Sequence, residues 1–206
     1  MSAEYVDFIV EEPSMEALLR VLLPQLLPET PFSVYSFQGK DELIERLPDR
    51  FKGYAAWLPQ NHYVVVIVDR DDTDCRALKD QLEGFARQAG LSTRTRRVGN
   101  RFTVVNRIAI EELEAWYFGD WEAVRAAYPR VSSTVPRKQA YRNPDSIAGG
   151  TWEAFEREMQ RTGYFKGGLR KIEAAEAIAR HMDIHRNTSN SFRVFRDAIS
   201  ELATLV

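Results

Sequence analysis

The chain has 206 residues, a hydrophobic content of 44% and a formal net charge of −2. These values are ordinary for a globular protein and exclude a globally basic nucleic-acid binder, although they leave room for a local basic patch. No apolar run approaches the roughly 20 residues that a membrane helix needs, and the N-terminal residues lack the pattern of a signal peptide. The single cysteine, Cys75, cannot form an internal disulfide, so we expect a cytoplasmic protein.

The first half of the chain alternates between strands and helices. Apolar runs and residue alternation predict strands at Tyr5–Val10, Phe32–Phe37, Tyr63–Val68, Ser92–Val98 and Arg101–Ile110, the last two joined at Gly99-Asn100. Capping residues, glycines and prolines predict helices at Met15–Leu27, Asp41–Leu47 and Cys75–Ala89. This order predicts an α/β fold in which helices flank a mainly parallel sheet.

The second half is mostly helical. We expect a helix at 111–118, a short helix capped by Asp120, a helix from Thr151 to Arg161, and two closing helices at Leu169–His181 and Asn190–Leu205. Residues 130–150 have the least regular pattern. We therefore divide the chain into an α/β core, residues 1–110, and a helical part, residues 111–206, that packs on the core to form one compact unit.

The predicted strand Tyr63–Val68 is apolar without a break, which is typical of a strand buried on both faces. Four carboxylates follow within six residues, at Asp69, Asp71, Asp72 and Asp74. They repel one another unless solvent or a cation neutralises them. Ligand sites in open α/β sheets lie just beyond the carboxyl ends of the strands, which is where this cluster falls.

Glu11 follows the first strand as Asp69 and Asp71 follow the third. If the two strands are neighbours, these three carboxylates meet at one edge of the sheet, here called the acidic rim. Carboxylate oxygens are ligands that Mg²⁺ prefers, so the acidic rim predicts a site for Mg²⁺ or Mn²⁺. The alternative is structural, because turns and helix caps use aspartate freely.

Two segments resemble the motifs of the Toprim domain, which occurs in topoisomerases, primases and OLD-family nucleases. Val10–Glu16 (VEEPSME) looks like its glutamate motif, with Glu12 where the domain usually has glycine. Val66–Asp71 (VIVDRD) looks like its Asp-x-Asp motif. The resemblance covers about residues 4–110 and implies a Toprim-like fold.

The second half resembles a narrower bacterial family, Toprim-like and catalogued as a domain of unknown function. The resemblance lies in Ile108–Tyr117, Tyr164–Lys166 and Ser191–Phe195. That family is often encoded beside an AAA-type ATPase and is linked with defence against phage. The resemblance therefore implies an AAA-type ATPase as a partner.

The resemblance also implies roles for individual residues. Glu11 would be a metal ligand or general acid/base, and Asp69 and Asp71 would be the metal-binding pair, with Asp72 as an extra ligand. Glu114 would be a further metal ligand, and Lys166 would stabilise the transition state. The structural alternatives are that Glu114 favours a helix N-terminus electrostatically and that Lys166 is a surface residue.

The segment Arg87–Arg107, here called the basic stretch, contains six arginines and no acidic residue. Its middle supplies candidate contacts to a phosphate backbone beside the acidic rim, at Arg94, Arg96, Arg97 and Arg101. The alternative is an edge strand that charge protects from aggregation.

These observations favour a Mg²⁺-dependent nuclease of Toprim type, acting on DNA or RNA as the effector of an ATPase-associated anti-phage system. The alternative is a non-catalytic subunit that docks on the ATPase. A third hypothesis, a receiver-like domain phosphorylated on Asp69, leaves the C-terminal half unexplained. The sequence leaves open whether the chain forms a homo-oligomer.

Overall fold

A computed structural model describes residues 3–71, 73–110 and 112–204, so Asp72 and Glu111 lie outside the described residues. The described part forms one parallel sheet of order β2-β1-β3-β4. Its strands are β1 Tyr5–Val10, β2 Phe32–Ser36, β3 His62–Asp69 and β4 Val104–Ala109. The sheet confirms the predicted α/β class, and it makes β1 and β3 direct neighbours.

Helices follow each strand and fill the second half. They are α1 Pro13–Leu26, α2 Lys40–Trp57, α3 Cys75–Gln88, α4 Glu114–Gly119, α5 Trp121–Ala127, α6 Thr151–Arg161, α7 Lys171–Ala179 and α8 Asn190–Thr204. Short 3₁₀ turns occupy the irregular segment between α5 and α6. None of the helices in the described ranges is long and apolar enough to cross a membrane.

The two faces of β3 explain its unbroken apolar run. Val64, Val66 and Val68 pack against α2 and α3 in one core. Val65 and Ile67 belong to a larger core on the opposite face of the sheet. The larger core also contains residues of α1 and of α4 to α8, so the helical half covers one side of the sheet.

Helix α2 is much longer than predicted. The predicted helix Asp41–Leu47 ends directly before Pro48, and proline in a helix interior removes a hydrogen bond at a cost of about 3 kcal/mol. The helix continues through Pro48 to Trp57 because Leu43, Leu47, Phe51 and Tyr54 form one buried stripe against the sheet. Hydrophobic packing therefore outweighs the local preference.

Helix α1 also begins differently from the prediction. Its N-cap is Glu12, and Pro13 occupies the first turn, where its missing N–H costs no hydrogen bond. Ser14, expected to cap the helix, lies inside it and donates its hydroxyl proton to Oε1 of Glu12 at 2.5 Å. The helix ends at Leu26, soon after Pro24.

The predicted strand pair at Ser92–Val98 and Arg101–Ile110 is wrong in its first part. Residues 92–103 form only isolated bridges, between Thr93 and Arg96 and between Val98 and Arg101, and the regular strand begins at Val104. The backbone N–H of Arg94 donates to the carbonyl of Val104, so the segment lies along the start of β4 as a loop.

Candidate functional site

Strands β1 and β3 end at the same edge of the sheet. They pair in parallel with Val10 opposite Ile67, so Glu11 and Asp69 follow at the same carboxyl edge. The backbone N–H of Asp69 donates to Oε2 of Glu11 at 3.0 Å. The convergence of these two carboxylates, predicted from the parallel order of the strands, is present in the structure.

Asp69 is the least solvated member of the acidic rim, with 6% of the residue exposed. Its Oδ1 atom is buried and has no hydrogen-bond partner among the described residues. Burial, followed by the negative charges of Glu11, Glu12 and Glu114, raises the pKa of Asp69 well above its usual value. Such a carboxylate is costly in the folded protein unless a cation approaches it.

Glu11 shares this environment. Burial raises the pKa of Glu11 to about 7, and the charge of Asp71 adds to the effect, while the Asp69 N–H and the ammonium of Lys40 oppose it. A carboxyl group whose pKa is near neutrality can accept or release a proton at the working pH of an enzyme.

Asp71 is exposed and already has a cationic partner. Nζ of Lys40, the first residue of α2, lies 2.5 Å from Oδ2 of Asp71 and donates to the carbonyl of Arg70 at 3.0 Å. Asp71 has a φ of +45°, a left-handed conformation that aspartate tolerates better than most residues. Lys40 was not predicted as a site residue, because it is distant from Asp71 in the sequence and belongs to no motif that was recognised there.

Glu12 occupies its position without backbone strain. Its φ is −139° and its ψ is 159°, an extended conformation that any residue adopts. The local backbone therefore does not require the glycine that Toprim motifs usually have here. The Glu12 carboxylate lies 3.2 Å from Nζ of Lys171, at the start of α7.

Glu114 begins α4 and is buried, with 1% of the residue exposed. Its Oε2 atom and the hydroxyl of Tyr117 are both buried without a hydrogen-bond partner in the described structure. Burial raises the pKa of Glu114 to about 8, although the Lys171 ammonium opposes the shift. Its surroundings are thus those of a buried carboxyl group facing the acidic rim, and not those of a surface charge at a helix end.

The neighbouring Glu112 has a structural role instead. Its Oε2 accepts hydrogen bonds from the backbone N–H of Thr151 at 3.0 Å, from the Thr151 hydroxyl at 2.8 Å and from the Trp152 N–H at 2.9 Å. Glu112 therefore caps the N-terminus of α6.

Lys166, the lysine predicted to act at the acidic rim, does not lie there, and another lysine of the second half does. Lys166 is exposed, and its side chain lies beside Gly163 and Arg130, without an ion pair to the acidic rim in the described structure. Lys171, which was not predicted, is the lysine that faces the rim. Burial lowers the pKa of Lys171, but the carboxylates of Glu114 and Glu12 outweigh burial and raise it overall.

The middle of the basic stretch, which contains the four candidate arginines, lies at the opposite end of the sheet from the acidic rim, and not beside the rim as predicted. The N–H of Arg94 donates to the carbonyl of Val104 at 2.8 Å, at the start of β4, whereas Ala109 pairs with Asp69 at the rim. Five residues of a strand separate these positions by about 16 Å.

Within the basic stretch, the four candidate arginines have different surroundings. Nε of Arg94 lies 2.6 Å from a carboxylate oxygen of Glu201, and Arg97 forms an ion pair with the same carboxylate. Arg96 and Arg101 are exposed. Nucleic-acid contact by these residues stays a prediction, at a place remote from the rim.

The acidic rim has donors that suit a divalent cation, but they are not gathered around one. Within residues 3–71, 73–110 and 112–204, no three His, Cys, Asp or Glu side chains are arranged to hold a metal ion. The unpaired Oδ1 of Asp69 and the oxygen-only donor set fit Mg²⁺ or Mn²⁺. Asp71, held by Lys40, would have to turn toward the ion, and Asp72 lies outside the described residues.

Comparison with known proteins assigns the family. The chain belongs to the family described as "Domain of unknown function (DUF4276)", which matches residues 10–202. This confirms the predicted membership of a family catalogued as a domain of unknown function. No curated protein matches the chain.

Two solved structures have a limited likeness to the chain. The C-terminal region of the Xanthomonas campestris pv. campestris OLD protein is 18% identical, with 96% of this chain and 94% of that chain covered and a TM-score of 0.39. The C-terminal region of the Burkholderia pseudomallei OLD protein is 17% identical, with coverages of 97% and 100% and a TM-score of 0.44. At these values the likeness does not determine what this chain does.

Proposed function

We propose that the chain is a Mg²⁺-dependent nuclease of Toprim type that acts with an AAA-type ATPase in defence against phage. The observation that carries the proposal is the buried Asp69 carboxylate, whose Oδ1 has no hydrogen-bond partner in the described structure, beside Glu11 and Glu114. Proteins seldom bury such a group without a use for it, because its desolvation costs several kcal/mol (roughly). The Toprim-like motifs at Glu11 and at Asp69-x-Asp71 support the same interpretation.

Glu11, Asp69 and Asp71 would hold the metal ion, with Glu114 and Asp72 as further candidate ligands. A bound Mg²⁺ or Mn²⁺ would polarise a phosphoryl oxygen and activate water. Glu11, which accepts a hydrogen bond from the Asp69 N–H at the same edge, is the candidate to exchange protons with the attacking water. Lys171 takes the place that the sequence suggested for Lys166, because its ammonium faces the rim and can offset charge that develops on the phosphate.

The test is cleavage of DNA and RNA panels in Mg²⁺ or Mn²⁺, by the purified protein alone and together with the product of its genomic neighbour. Glu11→Gln, Asp69→Asn and Lys171→Gln should each lower kcat by about 100-fold or more. Glu45→Gln and Asp49→Asn make the same chemical changes at exposed positions of α2 and should leave the rate unchanged. Cleavage that survives Asp69→Asn unchanged would refute the assignment.

A second function, a non-catalytic subunit that docks on the ATPase, is favoured by a separate observation. Lys40 is paired with Asp71, and Lys171 with Glu12, so lysines already neutralise part of the acidic cluster. In a docking subunit, the ammonium groups of Lys40 and Lys171 would permanently take the place of a metal ion. Calorimetric titration with Mn²⁺ separates the two functions, since the nuclease binds the ion through Asp69 and the docking subunit does not bind it.

A further inference from the structure

Cations lie over aromatic rings where the chain passes from α6 to α7. The guanidinium of Arg130 lies 4.1 Å from the centre of the Tyr164 ring, and that of Arg170 lies 5.5 Å from the centre of the Phe165 ring. Lys166 is exposed in the same connection. We call Arg130, Tyr164, Lys166 and Arg170 the α6–α7 surface.

The α6–α7 surface has an excess of positive charge. Arg130 and Lys166 form no ion pair with any residue in the described ranges. Arg170 lies 3.1 Å from a carboxylate oxygen of Glu173, but both side chains are at least half exposed, so this pair is weak. An anionic partner would meet little local competition for these three cations.

The rings beneath these cations pack against a third aromatic residue, Tyr128. The ring of Tyr128 packs edge-on against Tyr164, with centres 4.9 Å apart, and against Phe165 at 5.5 Å. The N–H of Leu169 donates to a carboxylate oxygen of Glu156 at 2.6 Å, which holds the end of the connection. Since the rings are held before any ligand arrives, binding loses little conformational entropy.

The α6–α7 surface adjoins the acidic rim. Arg170 directly precedes Lys171, whose Nζ lies 3.2 Å from Glu12 and 5.8 Å from the centre of the Trp152 ring. The basic stretch, by contrast, is at the far end of the sheet. Of the basic groups described above, those of the α6–α7 surface are therefore the ones placed to guide a polyanion to the rim.

We infer that the α6–α7 surface binds single-stranded nucleic acid, with phosphates on Arg130, Lys166 and Arg170 and bases stacked on the Arg130–Tyr164 pair. The inference deepens the proposed function, since it concerns the strand that the rim would cleave. Bases of a single strand can leave their stack and lie on rings or guanidinium planes, whereas bases in a duplex are covered by their neighbours. Cations interleaved with aromatic rings thus suit a single strand better than a duplex.

The experiment measures fluorescence anisotropy of a labelled 12-nucleotide oligo-dT strand with the full chain in EDTA, at several salt concentrations. The triple variant Arg130→Gln, Lys166→Gln, Arg170→Gln should weaken binding by about tenfold or more and reduce the salt slope by about 2, as expected when three phosphate contacts are lost. The matched control, Arg46→Gln, Lys52→Gln, Arg193→Gln, makes the same charge change at exposed positions of α2 and α8 and should weaken binding less than about threefold.

A second variant separates stacking from charge. Tyr164→Leu keeps every cation, and it should weaken binding of the single strand by about fivefold or more without changing the salt slope. Equal binding of a 12-base-pair duplex and the single strand, or equal losses in the triple variant and its control, would overturn the inference.

The outcome is independent of catalysis. Because EDTA removes the metal, a chain that never cleaves nucleic acid can still show this binding, and Asp69→Asn should bind the strand as the wild type does. Binding by the wild type without any cleavage in Mg²⁺ or Mn²⁺ would reject the nuclease and keep the α6–α7 surface as a binding site. If the triple variant cleaves and binds as the wild type does, the α6–α7 surface would be rejected as the binding site and the nuclease would be kept.

Discussion

The backbone N–H of Asp69 donates to the Glu11 carboxylate at 3.0 Å, and this hydrogen bond joins the ends of β1 and β3. It orients Glu11 but leaves Oδ1 of Asp69 without a partner in the described structure. The two carboxylates therefore differ: one is partly stabilised by the backbone, and the other has a buried oxygen that nothing in the described structure neutralises.

Asp69→Asn should stabilise the metal-free protein. The change keeps the shape of the side chain and removes a buried charge that lacks a partner, so the free energy of unfolding in EDTA should rise by about 1 to 3 kcal/mol. Urea denaturation measures it, with Asp49→Asn as the exposed control. Saturating Mg²⁺ at about 100 times Kd should stabilise the wild type by about 2.7 kcal/mol and the Asp69→Asn variant by nothing. A marked loss of stability of the variant in EDTA would contradict this account.

Lys40→Met should raise the affinity for Mn²⁺. The ammonium 2.5 Å from Asp71 competes with a metal ion for that carboxylate, and its removal leaves the acidic rim more negative. We expect Kd to fall by about tenfold, which corresponds to about 1.4 kcal/mol. Titration calorimetry measures it, with Lys52→Met as a control that also loses an aspartate partner. Weaker binding in Lys40→Met would mean that the lysine supports the site.

Glu83 should make the protein sensitive to acid. Burial alone would raise its pKa, but hydrogen bonds from Lys79, Thr93, Thr95 and Asn106 outweigh burial and lower it to about 2. Because the folded pKa lies below the unfolded value of 4.5, this carboxylate stabilises the protein above pH 4.5, and the contribution is lost as the pH falls toward 2.

The loss should be on the order of 2 to 3 kcal/mol for the wild type. It should be absent from Glu83→Gln, which has no charge to neutralise. Urea denaturation between pH 5 and pH 2.5 (roughly) gives the difference between the two proteins, so that other carboxylates cancel. Parallel curves for wild type and variant over this range would contradict the prediction.

Gly119→Ala should be severely destabilising. A Cβ atom at Gly119 would lie 2.1 Å from Oδ1 of Asn187 and 2.8 Å from the backbone nitrogen of Ser189, in the tight contact between α4 and the start of α8. We expect a loss of about 3 kcal/mol or more, measured as a fall in Tm.

The matched control is Gly53→Ala, in the interior of α2. A Cβ atom there meets nothing within 4 Å, so alanine should stabilise the helix by about 0.5 to 1 kcal/mol. Similar Tm values for the two variants would show that the contact at Gly119 relaxes easily.

The acidic rim was predictable because it depends on topology alone. Parallel strands place their carboxyl ends at one edge, so Glu11 and Asp69 converge once β1 and β3 are neighbours. The contacts of Lys40 and Lys171 with the acidic residues were not predictable in the same way. Lys171 reaches Glu12 across 159 residues, and no local pattern in the sequence reports such a contact.

The errors have physical causes as well. The break expected at Pro48 is absent, because the buried stripe from Leu43 to Tyr54 stabilises the continuous helix. The basic stretch was expected beside the rim because both adjoin β-strands. A strand has two ends, however, and Arg94 bonds to the beginning of β4 rather than to its end.

The pairing of Glu12 with Lys171 has a consequence for biosynthesis. A ribosome makes the carboxylates at Glu11, Glu12 and Asp69 long before it makes Lys171, so the nascent chain carries their repulsion with Lys40 but without the Lys171 ammonium. Contacts of such wide sequence separation form slowly, since a long loop must close first. The charge balance at this edge is therefore completed late in folding, once α7 has been made and has packed on the sheet.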